Sequence, residues 1–145
     1  MRVTIGNQGP RLSEEQLRDF EDELTVQRLP ESYRGFLLAN NGGSPSPDTI
    51  DVPNWRVSTD VAIFFGLHRA DQYWNDLRWN LELFREGRPI ENALPIANDS
   101  SGDYFCLELH GAGAVVLFEP FDFENRYPVA PDFDTFIRGL RWFED

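Results

Sequence analysis

The chain has 145 residues, 41% of them apolar, which is enough for the packed core of one domain spanning residues 1–145. It carries 25 acidic residues against 13 basic ones, for a formal net charge of −12. Apart from two histidines, every basic residue is arginine, so chemistry that needs a lysine amine is excluded. The negative charge disfavours direct nucleic-acid binding and favours a basic protein partner.

No apolar stretch approaches the ~20 residues that a membrane span requires, and residues 1–6 do not lead into the apolar core of a signal peptide. We therefore expect a cytoplasmic protein that does not bind membranes. Its one cysteine cannot form an internal disulfide, and no histidine pair has the spacing typical of a transition-metal site. We expect no metal and no other cofactor.

Two helices are predicted near the amino terminus. Residues 13–16 (Ser-Glu-Glu-Gln) fit a capping box, and apolar side chains follow them at helical spacing. Pro30 fits the first position of a second helix, which should end at residues 40–43 (Asn-Asn-Gly-Gly) because these residues accept left-handed backbone. Residues 44–47, with two prolines, are predicted as a loop.

The rest of the chain alternates strands with two further helices. A helix is predicted from Asp71 to Gly87 and another after Asp132. On the first of these, the predicted buried face consists of Trp74, Leu77, Leu81 and Phe84. Strands are predicted at residues 49–52, 61–65, 94–97, 104–109 and 114–118. This order predicts an α+β fold, with helices packed on a largely antiparallel sheet.

Short sequence motifs occur in a fixed order along the chain. They are Leu29-Pro30-x-x-Tyr33-x-x-Phe36-Leu37 with Asn40-Asn41-Gly42-Gly43, Phe64-Phe65-Gly66-Leu67, Leu94–Asp99 with Gly102–Leu107, Val115–Phe118 and Phe133-x-x-Phe136-Ile137. In this order and spacing they resemble the SUKH superfamily, the Smi/Knr-type domain, over about residues 12–140. The family commonly has Asp after the position of Leu107, where this chain has Glu108.

The resemblance implies a compact α+β domain that binds proteins and does not catalyse a reaction. Many bacterial members are immunity proteins that neutralise a toxin, whereas fungal relatives act in cell-wall regulation. We therefore expect an immunity protein that occludes a toxin domain. If the toxin is a nuclease, an acidic inhibitor would occupy its basic substrate site. The alternative is a cytosolic adaptor that binds an endogenous regulatory protein.

Two acidic segments with aromatic residues are candidates for partner binding, since aromatic side chains anchor protein interfaces and carboxylates steer association. One is a predicted loop that follows the last predicted strand, and the other is the proline-rich segment before residue 56. The candidate residues are Glu119, Phe121, Asp122, Phe123, Glu124 and Tyr127 in the first segment, and Asp48, Asp51 and Trp55 in the second. In the alternative reading the aromatic residues close the end of the sheet and the acids are only solvated.

Two residue pairs are candidates for catalysis. Asp99 and Asp103 flank a Ser-Ser-Gly turn, where they could serve a small hydrolase, contact a partner, or simply cap the turn with Gly102 at positive φ. Cys106 and His110 are a nucleophile and a base, but on an extended strand they lie ~13 Å apart. Reaction requires about 3 Å, so we expect Cys106 to be a buried apolar residue.

Overall fold

The structure, a computed structural model, describes residues 3–25, 28–86, 92–119 and 125–144. Over these ranges helices combine with antiparallel strands, so the predicted α+β class is confirmed. The helices are α1 (Glu14–Glu23), α2 (Glu31–Ala39), α3 (Leu77–Arg85) and α4 (Phe133–Arg138), with a 3-10 helix at Ala70–Asn75.

The strands form one larger sheet and two small ones. The larger sheet is antiparallel, in the order β5 (Ile63–Phe64), β6 (Ala93–Asn98), β7 (Tyr104–Glu108), β8 (Val115–Phe118) and β9 (Tyr127–Ala130). The small sheets pair β1 (Thr4–Gly6) with β2 (Ser44–Ser46), and β3 (Thr49–Val52) with β4 (Arg56–Asp60).

The predicted helix caps are confirmed at both ends of the chain. At α1 the capping box is complete, because Gln16 N donates to Ser13 Oγ (3.1 Å) and Ser13 N donates to Gln16 Oε1 (2.9 Å). At α4, Thr135 N donates to Asp132 Oδ1 at 2.8 Å. Pro30 is the N-cap of α2, one position before the predicted one.

Two segments predicted as loops are strands. Residues 44–46 form β2, in which Pro45 lies opposite Ile5. Proline is compatible with this position because the ladder has only two strands. The proline nitrogen, which has no hydrogen to donate, can therefore face away from the partner strand. After β8, residues 127–130 form β9 at the edge of the large sheet, with Ala130 opposite Val115. The prediction of a loop was therefore wrong at residues 44–46 and at Tyr127.

Aromatic side chains join α2 and α4 to one face of the large sheet. Phe136 of α4 lies 5.3 Å from Phe105 of β7, and Phe36 of α2 lies 4.8 Å from Phe64 of β5, measured between ring centroids. These four residues belong to the main hydrophobic core, with Phe36 partly buried at its margin. Alternate side chains of the sheet point to its other face, where a smaller buried cluster consists of Phe84, Ala93, Cys106, Val116 and Phe118.

The Asn41 side chain connects the end of α2 to two other segments. Its Nδ2 atom donates to Pro10 O (2.6 Å) and Leu67 O (2.7 Å), while Oδ1 accepts from Leu67 N at 2.8 Å. The main-chain oxygen of Asn41 accepts from Gly9 N at 2.9 Å. Because the residue is only 2% exposed, these bonds form largely out of contact with water.

The two glycines after Asn41 allow the chain to approach β5 closely. Gly42 and Gly43 have φ values of 74° and 120°, as the predicted helix end requires. A Cβ atom on Gly42 would lie 2.7 Å from Phe64 O, too close for any other residue. Gly43 and Phe64 exchange main-chain hydrogen bonds of 2.9 and 2.7 Å, which continue the pairing of β5 beyond the sheet edge.

A buried ion pair holds α1 against α2. Arg34 Nε donates to Glu21 Oε2 at 2.9 Å and Arg34 Nη2 donates to Glu21 Oε1 at 3.0 Å, with both side chains almost inaccessible to water. Glu21 Oε2 also accepts from Leu29 N at 2.5 Å, so the carboxylate orients the chain that enters α2. The hydrogen bonds from Arg34 to Glu21 raise the pKa of Arg34 further above its usual range, against the opposing effect of desolvation.

Substituting Asn41 should destabilise the fold far more than substituting its neighbour. Asn41→Ala leaves the N–H and C=O of Leu67 without their side-chain partner, so we expect the free energy of unfolding to fall by about 3 kcal/mol. Asn40→Ala removes one exposed hydrogen bond, with Gln8 (3.1 Å), and should cost at most about 1 kcal/mol. Urea unfolding measures both. Equal effects of the two substitutions would contradict this role of Asn41.

Removing Arg34 should be partly repaired by neutralising its partner. Arg34→Met leaves the Glu21 carboxylate buried without its counter-charge, which should cost about 3–5 kcal/mol in the free energy of unfolding. In the double variant Arg34→Met/Glu21→Gln, the amide oxygen still accepts from Leu29 N without burying a charge. Denaturant unfolding at pH 7 should find the double variant more stable than Arg34→Met. A less stable double variant would contradict the proposed cost of the unpaired carboxylate.

Candidate functional site

The first predicted binding segment is only partly described. Phe121, Asp122, Phe123 and Glu124 lie outside the described residues, so their role in binding stays a prediction. Glu119 is partly exposed at the end of β8. Tyr127 of β9 packs against Trp55 of the second segment, with 5.8 Å between the ring centroids. Both rings are partly buried against the main core, which favours the alternative in which aromatic residues close the end of the sheet.

In the second segment, Asp51 forms an ion pair within the molecule. Arg141 Nη2 donates to Asp51 Oδ1 at 2.8 Å, and this hydrogen bond lowers the pKa of Asp51 below its usual 3.8. The main chains of Arg141 and Thr49 also exchange hydrogen bonds, of 2.8 and 3.0 Å. Asp51 therefore ties the C-terminal segment to β3. Asp48 is exposed and lines a cavity of about 310 Å³ together with Phe143.

Asp99 and Asp103 are each only 3% exposed. Asp99 Oδ1 accepts from Ser101 N (3.0 Å) and Asp103 N (2.8 Å), and Asp99 Oδ2 accepts from Thr59 Oγ1 (2.9 Å). These bonds are typical of a carboxylate that caps a turn, and Gly102 has the positive φ, 91°, that this interpretation requires. Side chains as buried as these offer a partner almost no contact.

Cys106 and His110 lie in different surroundings. Cys106 is fully buried in β7, as expected for an apolar residue. The His110 side chain is exposed beyond the strand, and its Nε2 lies 3.2 Å from Glu108 Oε2. Within the described ranges, no three His, Cys, Asp or Glu residues are grouped so that they could hold a metal ion. None of the described helices is long and apolar enough to cross a membrane.

An exposed cluster of large apolar side chains lies on the 3-10 helix and along α3. We call Tyr73, Trp74, Trp79 and Leu83 the aromatic platform; their exposed fractions are 57%, 51%, 38% and 44%. The Tyr73 ring contacts both tryptophans edge to face, with centroid distances of 5.2 Å to Trp74 and 5.5 Å to Trp79. Large apolar side chains that touch one another in contact with water are typical of binding surfaces.

The platform exists because the helical segment is interrupted at Asp76. This residue has extended backbone (φ −89°, ψ 137°), and its side chain accepts from Arg78 N (2.8 Å) and Trp79 N (3.3 Å) as the N-cap of α3. The preceding 3-10 helix thus ends before α3 begins. The prediction of one helix from Asp71 was wrong in this respect, since the interruption leaves Trp74 exposed while Leu77 is fully buried. The predicted end at Gly87 lies outside the described residues.

A buried arginine holds the 3-10 helix in place. Arg69 Nη1 donates to Asn7 O at 2.7 Å, and Arg69 Nη2 donates to Gln72 Oε1 at 2.8 Å. The same Gln72 oxygen accepts from Asn75 Nδ2 at 2.9 Å, and Arg69 N donates to Asp76 Oδ2 at 3.1 Å. This network fixes the backbone that carries Tyr73 and Trp74, so the exposed rings are attached to a rigid support.

Charged residues border the platform along α3. A groove of about 510 Å³ is lined by Trp79, Glu82, Leu83, Arg85 and Glu86. On the side of α3 that faces α1, a second groove of about 320 Å³ shares Glu82 and Arg85 with the first. There the carboxylate of Glu23 pairs with Arg78 at 2.6 Å, and this hydrogen bond lowers the pKa of Glu23. Apolar and acidic side chains therefore alternate on the exposed face of the helix.

The sequence held a signal for the platform that the prediction did not use. Leu77, Leu81 and Phe84 form the buried stripe of α3. Trp79 and Leu83 are four residues apart, so they share a different face of the same helix. A helix with large apolar residues on two faces has more apolar surface than one core can cover. That excess predicts an exposed apolar patch.

The α+β fold with helices on an antiparallel sheet, and the sequence motifs described above, are features of a known protein family. The model of the SMI1 / KNR4 family (SUKH-1) matches residues 11–139. The chain belongs to this family, whose members are generally non-catalytic domains that bind proteins. A search of the curated proteins found no match to the sequence.

The ion pair between Asp51 and Arg141 should make stability depend on pH. Because the pKa of Asp51 is lower in the folded protein, its contribution is present above the unfolded-state pKa and is lost as the pH falls through the folded value. Asp51→Asn should therefore lower the unfolding midpoint at pH 7 and have no effect in strong acid. In the Arg141→Met background Asp51→Asn should have little effect at either pH. An equal effect in both backgrounds would contradict the pairing.

Proposed function

We propose that this protein is an immunity protein that neutralises a cognate bacterial toxin domain by covering its surface. The observation that carries the proposal is the aromatic platform, which exposes three contacting rings on a rigid support. Tyrosine and tryptophan supply much of the binding energy in protein interfaces, because they bury a large area with little loss of side-chain freedom. Membership of a family of protein-binding domains supports the same role.

The charge of the chain supports a basic partner. A formal charge of −12 repels other acidic proteins and attracts basic ones over distances of about a Debye length. A toxin that cleaves nucleic acid needs a basic surface for its own substrate. An acidic protein that binds this surface both associates rapidly and excludes the substrate. We propose a nuclease toxin on this ground.

The remaining parts of the proposal concern the protein itself. Residues 1–145 form one domain, it acts in the cytoplasm, and it carries out no reaction of its own. Inhibition needs only that the toxin surface be covered. The buried positions of Cys106, Asp99 and Asp103 support this because a catalytic group must reach its substrate.

Growth rescue tests the proposed function. The protein is co-expressed in a bacterial host with each toxin domain encoded beside its gene, and survival is scored. The wild type should restore growth against one of them. Trp74→Ala/Trp79→Ala should abolish protection because it removes two of the three rings. Trp142→Ala is the matched control, since Trp142 is 61% exposed in the C-terminal segment and lies outside the platform.

Circular dichroism and urea unfolding should show that all variants remain folded. If the double variant is folded and protects as well as the wild type, the platform is not the inhibitory surface. If the wild type relieves none of the toxins, the immunity role is wrong and the adaptor becomes the better interpretation. Affinity capture with the platform variant as the negative control then identifies the endogenous protein.

A further inference from the structure

We infer that the groove beside Trp79 receives a cationic side chain, arginine or lysine, from a basic segment of the protein partner. The inference rests on the proposed function, and it specifies which chemistry the platform recognises. It concerns the 510 Å³ groove on the exposed face of α3. The occupant is a protein segment whose positive side chains project into this groove.

Helical spacing places the groove residues on one face. Trp79, Glu82 and Leu83 follow the pattern i, i+3 and i+4 on α3, and Glu86, the C-cap of the helix, continues the row at i+7. Two of them are apolar and two are acidic, and all four are exposed. The row therefore offers apolar surface and negative charge within one groove.

Each of these groups matches one part of an arginine side chain. The indole ring of Trp79 attracts a cation placed over its face. Leu83 offers an apolar contact to the methylene stem, which long cationic side chains bury while the charge stays near water. The carboxylates of Glu82 and Glu86 accept charge-assisted hydrogen bonds from a guanidinium group. A neutral apolar side chain would use only half of these groups.

The molecule already contains this arrangement on the neighbouring face of α3. The Arg78 guanidinium lies 5.4 Å from the centroid of the Phe20 ring. It also donates to both carboxylate oxygens of Glu23, at distances from 2.6 to 3.1 Å. An aromatic ring and a glutamate thus hold an arginine from within the chain, and the groove at Trp79 presents the same two groups to an arginine from outside.

Arg85 opposes the proposed binding. It lines the groove together with Glu82 and Glu86, so the local charge is two carboxylates against one guanidinium. A cation that enters the groove is attracted by the carboxylates and repelled by Arg85. For a cationic occupant, removing Arg85 should therefore strengthen binding, and removing Glu82 should weaken it. The affinity of an apolar occupant would not change in these opposite directions.

A capped hexa-arginine peptide is the probe, titrated into the full chain at low salt with tryptophan fluorescence and calorimetry as readouts. A hexa-citrulline peptide, neutral and of nearly the same shape, is its control. Wild type should bind the arginine peptide and not the citrulline peptide. Trp79→Leu keeps an apolar side chain but loses the aromatic face, and should weaken binding about two- to fivefold. Glu82→Gln should weaken binding by a similar factor.

Arg85→Ala should tighten binding by about the same factor, and Trp142→Leu should leave it unchanged. The inference is wrong if citrulline and arginine peptides bind alike, which would indicate an apolar occupant. It is also wrong if Arg85→Ala weakens binding, or if sedimentation shows a dimer that Trp79→Leu dissociates, because the occupant would then be a second copy. Glu82→Gln and Arg85→Ala change exposed side chains, so these tests do not depend on Trp79→Leu remaining folded.

The inference and the proposed function fail in different ways. If the groove binds the arginine peptide with the expected signs but no toxin is neutralised, the groove chemistry stands and the immunity role falls. If wild type neutralises a toxin while Glu82→Gln and Arg85→Ala inhibit with unchanged affinity, the immunity role stands and the cationic contact is wrong.

Discussion

The arrangement of this fold depends on the hydrogen bonds of Asn41. One amide side chain joins the end of α2 to the chain after β5 and to the segment after β1. Its donors and its acceptor meet main-chain groups that would otherwise lose their partners. The glycines that follow let the backbone reach Phe64. The bonds from Asn41 to Leu67 fix the position at which the segment of residues 67–76 starts. Arg69 in this segment then holds the 3-10 helix that carries two of the platform rings.

Local signals in the sequence predict much of the fold. The capping box at Ser13, the N-cap at Asp132 and the glycines after Asn41 each act within a few residues, so their outcome follows from the sequence alone. Strands β1, β2, β4 and β9 were not predicted, because they lacked such signals. Residues 44–46 form a strand only because residues 4–6, far away in the sequence, pair with them. A tertiary contact decides their conformation, and periodicity does not report it.

The candidate site was harder to predict than the fold. The paired carboxylates of Asp99 and Asp103 indicate a candidate site in the sequence, but turn geometry buries both. The sequence predicts a single helix through Asp76, and this helix places Trp74 on the buried face. The aromatic platform was therefore not predicted. The side chain of Asp76 suits an N-cap as well as a helix interior, and only its contacts with Arg78 N and Trp79 N distinguish the two. Because the helical spacing of apolar residues continues across this cap, the sequence predicts one helix where the structure has two elements.

Helix α3 has one face that packs against the interior and another that is exposed to solvent. Leu77, Leu81 and Phe84 face the interior, while Glu82 and Glu86 face solvent on the same few turns. Exchanging an outward residue leaves the interior packing untouched, so recognition and folding can be altered separately. Substitutions in this exposed row can therefore change which protein is bound without a change in the fold.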